Sequence, residues 1–426
     1  MSSDGWQTRA YLALRPALQP LMRAVLRRRL RQGKEDPARL GEKLGRPSLP
    51  RPEGRLIWIH AVGLGEVMAL RPLIGAMQAV HPGLNFLLTS TARSSAQVIG
   101  GNLPPDTRHQ MLPLDGPDFL RGFLDHWRPD LSVWSEQDLW PGAIRDTAAR
   151  GIPLAYVNAR MNAAAYDNRR RLAGLYRDLL RRFALITAQD AESAGHLRQL
   201  GAAQVRQMRS LKPAAPPLGA DPAALAALRA ALAGRRVWVA ASTHAADEDV
   251  VIAAQARLHA EDPARLLILT PRLPARAAGI RDALHAAGLP VAQRSRGEMP
   301  GADTAVLLAD SFGELGLWYR LAQTAFVGGS FGGLGGHNPW EAICLGLPVV
   351  SGPDTANFRS DYTELAELGL AGRIPAGPDS ANALADTIRA GGTPDVAQRA
   401  SALVDAARAD LTILARDLLS LIGAPR

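Results

Sequence analysis

The chain has 426 residues, 47% of them hydrophobic and 21% charged, which excludes a disordered protein and is too long for one ordinary domain. The formal net charge is +9, yet residues 1–34 alone hold Arg9, Arg15, Arg23, Arg27, Arg28, Arg29, Arg31 and Lys34 against Asp4. The remainder is nearly neutral, which argues against a nucleic-acid groove across the molecule, and the single Cys344 excludes an intramolecular disulfide and a cysteine metal cluster.

Residues 11–30 read YLALRPALQPLMRAVLRRRL. Leu12, Leu14, Leu18, Leu21, Met22, Val25, Leu26 and Leu30 recur at helical spacing, while Arg15 and Arg23 interrupt them and Pro16 and Pro20 break up the early part. A spanning helix needs about 20 mostly uncharged residues, and this segment is not one. It suits a helix lying in a bilayer interface, with residues 27–31 on anionic headgroups. The competing reading is a surface helix packed on its own domain. No secretory signal with a continuous apolar core is present.

From residue 55 short β-rich runs alternate with helical stretches. The pattern predicts strands at 56–62, 85–89, 109–114, 130–134, 153–158 and 184–188. Helices fit between them at 66–80, 94–100, 118–127, 139–150, 164–183 and 191–200. A linker is expected at 212–221, where three prolines and a glycine occur in ten residues. The alternation then restarts, with strands at 236–241, 265–270, 304–309, 324–327 and 348–351. Helices are expected at 247–260, 275–286, 313–321, 339–345 and 358–368, and in the tail at 394–421. Repeated βα units imply two α/β, doubly wound, Rossmann-like domains. The expected divisions are 1–34 (basic membrane segment), 35–212, 213–221 (linker) and 222–426, the last helix packing back on the first domain. In such sheets ligands bind at the carboxyl ends of the strands.

The richest run is VGGSFGGLGGHNPWE, residues 327–341. Six glycines follow a strand and precede a helix, so backbone N–H groups and the positive helix end can hold a phosphate. Asn338 suits an N-cap, Pro339 the first helical turn, and Glu341 can accept bonds from ribose hydroxyls. Arg272, in the run Thr270-Pro271-Arg272 after LLIL, is placed to pair with a phosphate. Phe312, Gly313 and Glu314 end another strand and can frame a base or ribose. In the first half Glu66 closes IHAVGLGE and Glu136 lies in SEQDLWP. Each is either an acid–base group or a carboxylate complementing a helix start. Asn158 and Arg160 end the next strand. The first half thus offers acids and polar groups, the second phosphate-binding features.

Together the ordered blocks WIHAVGLGE, MLPLD, SEQDLWP, VNAR, ASTH, LTPR, DSFGEL and VGGSFGGLGGHNPWE resemble the Kdo (3-deoxy-D-manno-octulosonic acid) transferases of lipopolysaccharide synthesis. The resemblance implies a GT-B fold, two Rossmann-like domains facing across a cleft. It implies an inverting transfer of Kdo from CMP-Kdo to a lipid A precursor at the cytoplasmic face of the bacterial inner membrane. It makes Glu66 the general base and Glu136 a second functional acid. It places Pro271, Arg272, Phe312, Gly313, Glu314, Gly329, Ser330, Gly336, His337, Asn338, Pro339, Trp340 and Glu341 around CMP. Asn158, Arg160 and Lys212 fall on the acceptor side. No metal and no cofactor beyond the donor is expected, and no nucleic-acid partner. Leu273, Gly63-Leu64, Gln137-Asp138 and Arg209-Ser210 depart from the family pattern. The rival readings are a transferase or epimerase of the same fold using a UDP-sugar, and a non-catalytic membrane scaffold or RNA-binding protein.

Overall fold

The structure, a computed structural model, describes residues 4–62, 64–91, 103–136, 138–209, 211–392 and 395–423, with the side chains of 64–69 excepted. The chain divides into two compact units, Met1–Ala215 with Ala407–Arg426, and Pro216–Ala406.

The first unit holds seven strands: β1 Leu56–His60, β2 Asn85–Ser90, β3 Thr107–Met111, β4 Leu131–Ser135, β5 Leu154–Ala159, β6 Leu185–Ala188 and β7 Arg206–Gln207. Every pairing is parallel, in the order β3-β2-β1-β4-β5-β6-β7. A parallel sheet is covered on both faces, so its strands read as nearly unbroken apolar runs, and all five residues of β1 are buried. Alternate side chains go to opposite faces. Leu56 and Trp58 enter one core cluster with Phe123, Trp127 and Trp134. Ile57 and Ile59 enter the other, with Leu70, Leu73, Leu411, Leu414 and Leu418. The closing residues of this second cluster come from the C-terminal helix Val396–Ser420. The same helix gives Val396, Ala400 and Leu403 to a core cluster of the second unit.

The second unit repeats the plan with β8 Arg236–Thr243, β9 Arg265–Pro271, β10 Val291–Gln293, β11 Val306–Leu308, β12 Ala325–Val327, β13 Val349–Ser351 and β14 Ala371–Arg373. Its parallel order is β10-β11-β9-β8-β12-β13-β14. Val237 and Val239 face one core cluster and Trp238 and Ala240 the other. In each sheet the order reverses once, between β1 and β4 and between β8 and β12. Those switch points are where an open α/β sheet leaves a crevice at its carboxyl edge.

Several local expectations change. Residues 164–183 form two helices, Ala163–Arg170 and Ala173–Leu180, rather than one. The two- and three-residue strands β7, β10 and β14 and the helices Pro222–Ala231 and Ser380–Ala390 were not anticipated. The helix expected at 94–100 lies outside the described residues. Pro16 and Pro20 do not interrupt the first helix, which runs unbroken over Trp6–Arg31. Both prolines sit on its exposed side, so the carbonyls they leave unpaired are not sealed in a core.

That first helix packs on the first unit through polar groups. Thr8 Oγ1 donates to Asp178 (2.6 Å), Gln19 Nε2 to Asp118 (3.0 Å), and Arg15 to the Asp115 carbonyl (2.8 Å) and the Asp146 carboxylate (2.9 Å). Arg15 is buried, and Gly142 lets the guanidinium approach: a Cβ there would lie 2.2 Å from Arg15 Cζ. Leu14, Leu18, Leu21 and Val25 form a stripe left exposed, Leu14 and Leu21 each at 59%. No described helix is long and apolar enough to cross a membrane.

Candidate active site

In the first unit the anticipated polar residues gather at the carboxyl ends of β1, β4 and β5, adjacent strands around the switch point. Glu136 follows β4 and takes a left-handed backbone conformation (φ 57°). Asn158, inside the end of β5, does the same (φ 50°). Two non-glycine residues in that region, side by side, mark a place where the surroundings hold a conformation that costs about 1–3 kcal/mol per residue. They are joined: Asn158 Nδ2 donates to Glu136 Oε1 at 3.4 Å. The Glu136 carbonyl accepts from the Tyr156 hydroxyl and from Arg160 N at 3.3 Å. Asn158 Oδ1 and Ser135 Oγ are buried and have no hydrogen-bond partner among the described residues. Buried polar atoms in that state ask for a partner.

His60 ends β1, fully buried. Its Nδ1 lies 3.0 Å from Thr89 Oγ1 and its Nε2 3.4 Å from Asp138 Oδ2. Trp140 Nε1 donates to the same carboxylate oxygen at 2.8 Å. Burial pushes the Asp138 carboxyl up, but the bonds from His60 and Trp140 and the charge of Arg169 outweigh it and hold it below its usual range. His60 and Asp138 were not among the expected site residues; the position of His60 at the end of β1 was the available signal. Glu66 lies in the first turns of the helix Leu64–Val80 that follows β1; its side chain is outside the described residues. Lys212 opens a 3-10 turn, Lys212–Ala214.

In the second unit the cluster sits at the ends of β9, β8 and β12, again adjacent strands at the switch point. Arg272 N donates to the Thr243 carbonyl at 2.9 Å, which carries the β8–β9 ladder to its last residue. The Arg272 side chain is exposed. Its charge reaches both His337, whose pKa is lowered by burial, His244 and Arg272 in that order, and Glu341. Burial raises the Glu341 carboxyl pKa against the opposing pull of Arg272 and Asn338. Asn338 Oδ1 accepts from Trp340 N at 3.1 Å, but the N-cap of the short helix Trp340–Ile343 is Pro339, so Asn338 stands one residue ahead of the capping position expected for it. His337 and His244 stack with centroids 5.2 Å apart and Nε2 atoms at 3.0 Å.

The glycine run is held differently from expectation. Asp247, fully buried in the first turn of the helix Ala245–Glu261, accepts from the backbone N–H groups of Gly329 (2.7 Å), Ser330 (3.2 Å) and Phe331 (3.0 Å). It also accepts from His244 N at 2.9 Å. Gly335 N donates to Asp354 at 2.8 Å, and Gly336 N to the Gly329 carbonyl at 2.8 Å. These amides, read from sequence as open to phosphate, are already engaged by the fold. Gly329 is required by close approach and conformation: its φ is 69° and a Cβ would lie 2.8 Å from the His337 ring. Ser330 is buried, its hydroxyl donating to the Val327 carbonyl (3.0 Å) and accepting from Gly352 N (2.8 Å). Trp340 is also core, its indole bonded to Asp361 at 2.7 Å. Gly329, Ser330, Gly336, Pro339 and Trp340 therefore shape the loop, while His337, Asn338, Glu341 and Arg272 present side chains at its surface. Pro271 is buried at the end of β9. Phe312 is 75% exposed beside Gly313, and Glu314 is paired with Arg294 at 2.7 Å.

Residues 38–215 match the domain described as 3-deoxy-D-manno-octulosonic-acid transferase (kdotransferase). The 3-deoxy-D-manno-octulosonic acid transferase of Rickettsia bellii is 31% identical over 376 residues, covering 88% of this chain and 90% of the relative. The chain belongs to the Kdo transferase family. The Bordetella pertussis member is 35% identical, with 80% of each chain covered. A UDP complex of HepE from Anabaena matches 86% of this chain at 15% identity with a TM-score of 0.54. The UDP-GlcNAc 2-epimerase of Neisseria meningitidis matches 86% at 13% identity with a TM-score of 0.53. At such identities the likeness is one of fold. With its two doubly wound sheets, this Kdo transferase family member is a glycosyltransferase of the GT-B fold class.

Proposed function

We propose that this family member transfers Kdo from CMP-Kdo to a lipid A precursor by a single inverting displacement at a membrane surface. The observation that supports the reading most is the Arg272–His337–Asn338–Glu341 cluster at the switch point of the second unit. A cation, a helix start and a partly buried carboxylate suit a nucleoside monophosphate: Arg272 for the phosphate, Asn338 and Glu341 for the ribose.

The Glu66 carboxylate takes the proton of an acceptor sugar hydroxyl. The acceptor oxygen forms a bond to the anomeric carbon of Kdo as the bond from that carbon to the phosphate oxygen breaks. The electron pair leaves with CMP, and Arg272 with the helix start at Asn338 stabilises the departing charge. A departing monophosphate needs fewer countercharges than a diphosphate, and we assign this transfer no metal. Glu136, held by Asn158, orients the acceptor beside Glu66. The exposed apolar stripe of the first helix, flanked by Arg23, Arg27, Arg28 and Arg31, supports residence on an anionic leaflet. The UDP-dependent alternative has only fold likeness behind it.

The test is transfer from freshly made CMP-Kdo to a tetraacyl disaccharide 4′-phosphate without added metal, comparing wild type with Glu66→Gln. Loss of about 10²–10⁴-fold in kcat is expected for the variant, with the anomeric configuration of the product inverted relative to the donor. Retention of configuration would sink the single displacement.

A further inference from the structure

The first helix does more than lie against the first unit. Leu18, Leu21, Met22, Val25 and Leu26 of this helix line a groove of about 480 Å³, together with Leu114 and Trp140 of the body of the unit. That volume suits the apolar part of a small amphiphile. Arg29, Glu35 and Lys43 also line it. Glu35 accepts from Arg29 Nε at 2.6 Å and from Lys43 Nζ at 2.5 Å. Burial raises its carboxyl pKa, but the two cations outweigh that and hold it below its usual range. Two cations around one carboxylate leave a net positive charge there, and Arg29 is half exposed.

The groove also leads somewhere. Trp140, which forms part of its wall, donates through Nε1 to Asp138, the carboxylate beside His60. At Trp140 the groove therefore touches the loop after β4 that carries Glu136. Apolar walls, two cations in the lining and continuity with the acid-bearing loop match a molecule with an acyl chain, an anionic group and a sugar.

Resting on the proposed transfer reaction, we infer that this groove seats one acyl chain of the phosphorylated glycolipid acceptor, with the acceptor's anionic group near Arg29 and Lys43. The chain fixes the acceptor before its hydroxyl meets the base. Leu18, Leu21 and Val25 are both exposed and part of the groove lining, so the side of the helix that meets a lipid surface opens directly onto the seat of the acceptor chain.

The experiment uses 12-bromododecyl phosphate below its micelle concentration, without vesicles, and follows quenching of tryptophan fluorescence. Saturable quenching is expected in wild type, and the portion due to Trp140 disappears in Trp140→Phe. Met22→Phe, which fills the groove, weakens the probe about tenfold. The tetraacyl disaccharide phosphate displaces the probe, whereas dihexanoyl phosphatidylglycerol at the same concentration does not. Quenching unchanged by both substitutions overturns the site. Equal displacement by the phospholipid overturns the acceptor assignment. Kdo transfer is measured in parallel on the same preparations. Transfer without Trp140 quenching rejects the groove and leaves the reaction standing; quenching without transfer rejects the reaction on which the acceptor assignment rests.

Discussion

Asp247 is the residue whose role most exceeds its sequence signature. In sequence it is one acid in the first turn of a helix, where a carboxylate complements the dipole. In the fold it collects N–H groups from His244, Gly329, Ser330 and Phe331, the last three lying 82, 83 and 84 residues away. A carboxamide of the same size keeps at most part of this set, because its NH₂ end faces donors. Asp247→Asn is expected to cost about 1–3 kcal/mol of stability, read by denaturant unfolding, and to raise the KM for the donor more than that for the acceptor. Equal change in both KM values would contradict a role confined to the donor loop. That role was not legible because the partners, which follow the neighbouring strands β8 and β12, are more than 80 residues apart in sequence. The glycines it holds were legible, since six in nine positions have few uses other than a tight loop.

His109 gives a residue-scale prediction of another kind. Arg39 Nη1 donates to its Nδ1 at 3.0 Å and its Nε2 lies 2.9 Å from Ser90 Oγ. An arginine only donates, so Nδ1 is the acceptor and the ring is neutral with its proton on Nε2. Burial, then the charge of Arg39, pushes the imidazole pKa down to about 3. The unfolded chain binds this proton near pH 6.5, so between about 6.5 and 3 the unfolded state holds one more proton than the folded one. Stability contributed by this site is full above that window and falls with pH inside it, by up to about 1.4 kcal/mol per pH unit. Unfolding free energies at pH 7 and pH 5, for wild type and His109→Gln, check it: the slope is expected to be shallower in the variant.

At the scale of elements, the N-terminal helix is the informative case. Its periodicity was visible, but which side faces the protein was not. The docking face carries Thr8, Arg15 and Gln19, polar residues that find partners only in the folded unit. The stripe of Leu14, Leu18, Leu21 and Val25 is left outside. An ordinary surface helix does the reverse, and this inversion favours an interfacial helix over one merely packed on its domain. Replacing Leu14, Leu21 and Val25 together by serine is expected to reduce binding to anionic vesicles at least tenfold, a lower bound, since full burial of such side chains contributes about 1.5–3 kcal/mol each. Sedimentation with vesicles reads this. Unfolding midpoints stay nearly unchanged, since exposed positions usually matter within about 0.5 kcal/mol. A large drop in stability with unchanged vesicle binding would mean that the stripe serves the fold.

Element boundaries elsewhere show what sequence patterns reach. Long apolar runs such as LIWIH and RLLILTP were legible because burial on both faces leaves no polar gap. β7, β10 and β14 have two or three residues each, too few for any period to register. The division of residues 163–180 into two helices falls at Arg171-Leu172, just ahead of Gly174 in the first turn of the second helix.

At the scale of the molecule, each unit repeats one physical scheme: a parallel sheet sealed by helices, with chemistry at the switch point. The strained Glu136 and Asn158 stand at the carboxyl ends of interior strands of one sheet, and Ser242 (φ 54°) at the carboxyl end of an interior strand of the other. Strain of this kind persists where the surrounding fold over-determines it. The chain passes between the units twice, at Ala215–Pro216 and at Ala406–Ala407, so the helix Val396–Ser420 contributes to both cores. The repeated βα pattern made the two sheets legible. The family likeness, not the pattern, points to the sugar.

The central claim is the donor. The most direct measurement follows transfer to the tetraacyl disaccharide 4′-phosphate by the full chain, with CMP-Kdo and with a panel of UDP-sugars offered separately. The account predicts transfer from CMP-Kdo alone, weakened when Arg272 is replaced by alanine. Transfer from a UDP-sugar by well-folded protein that ignores CMP-Kdo would contradict it.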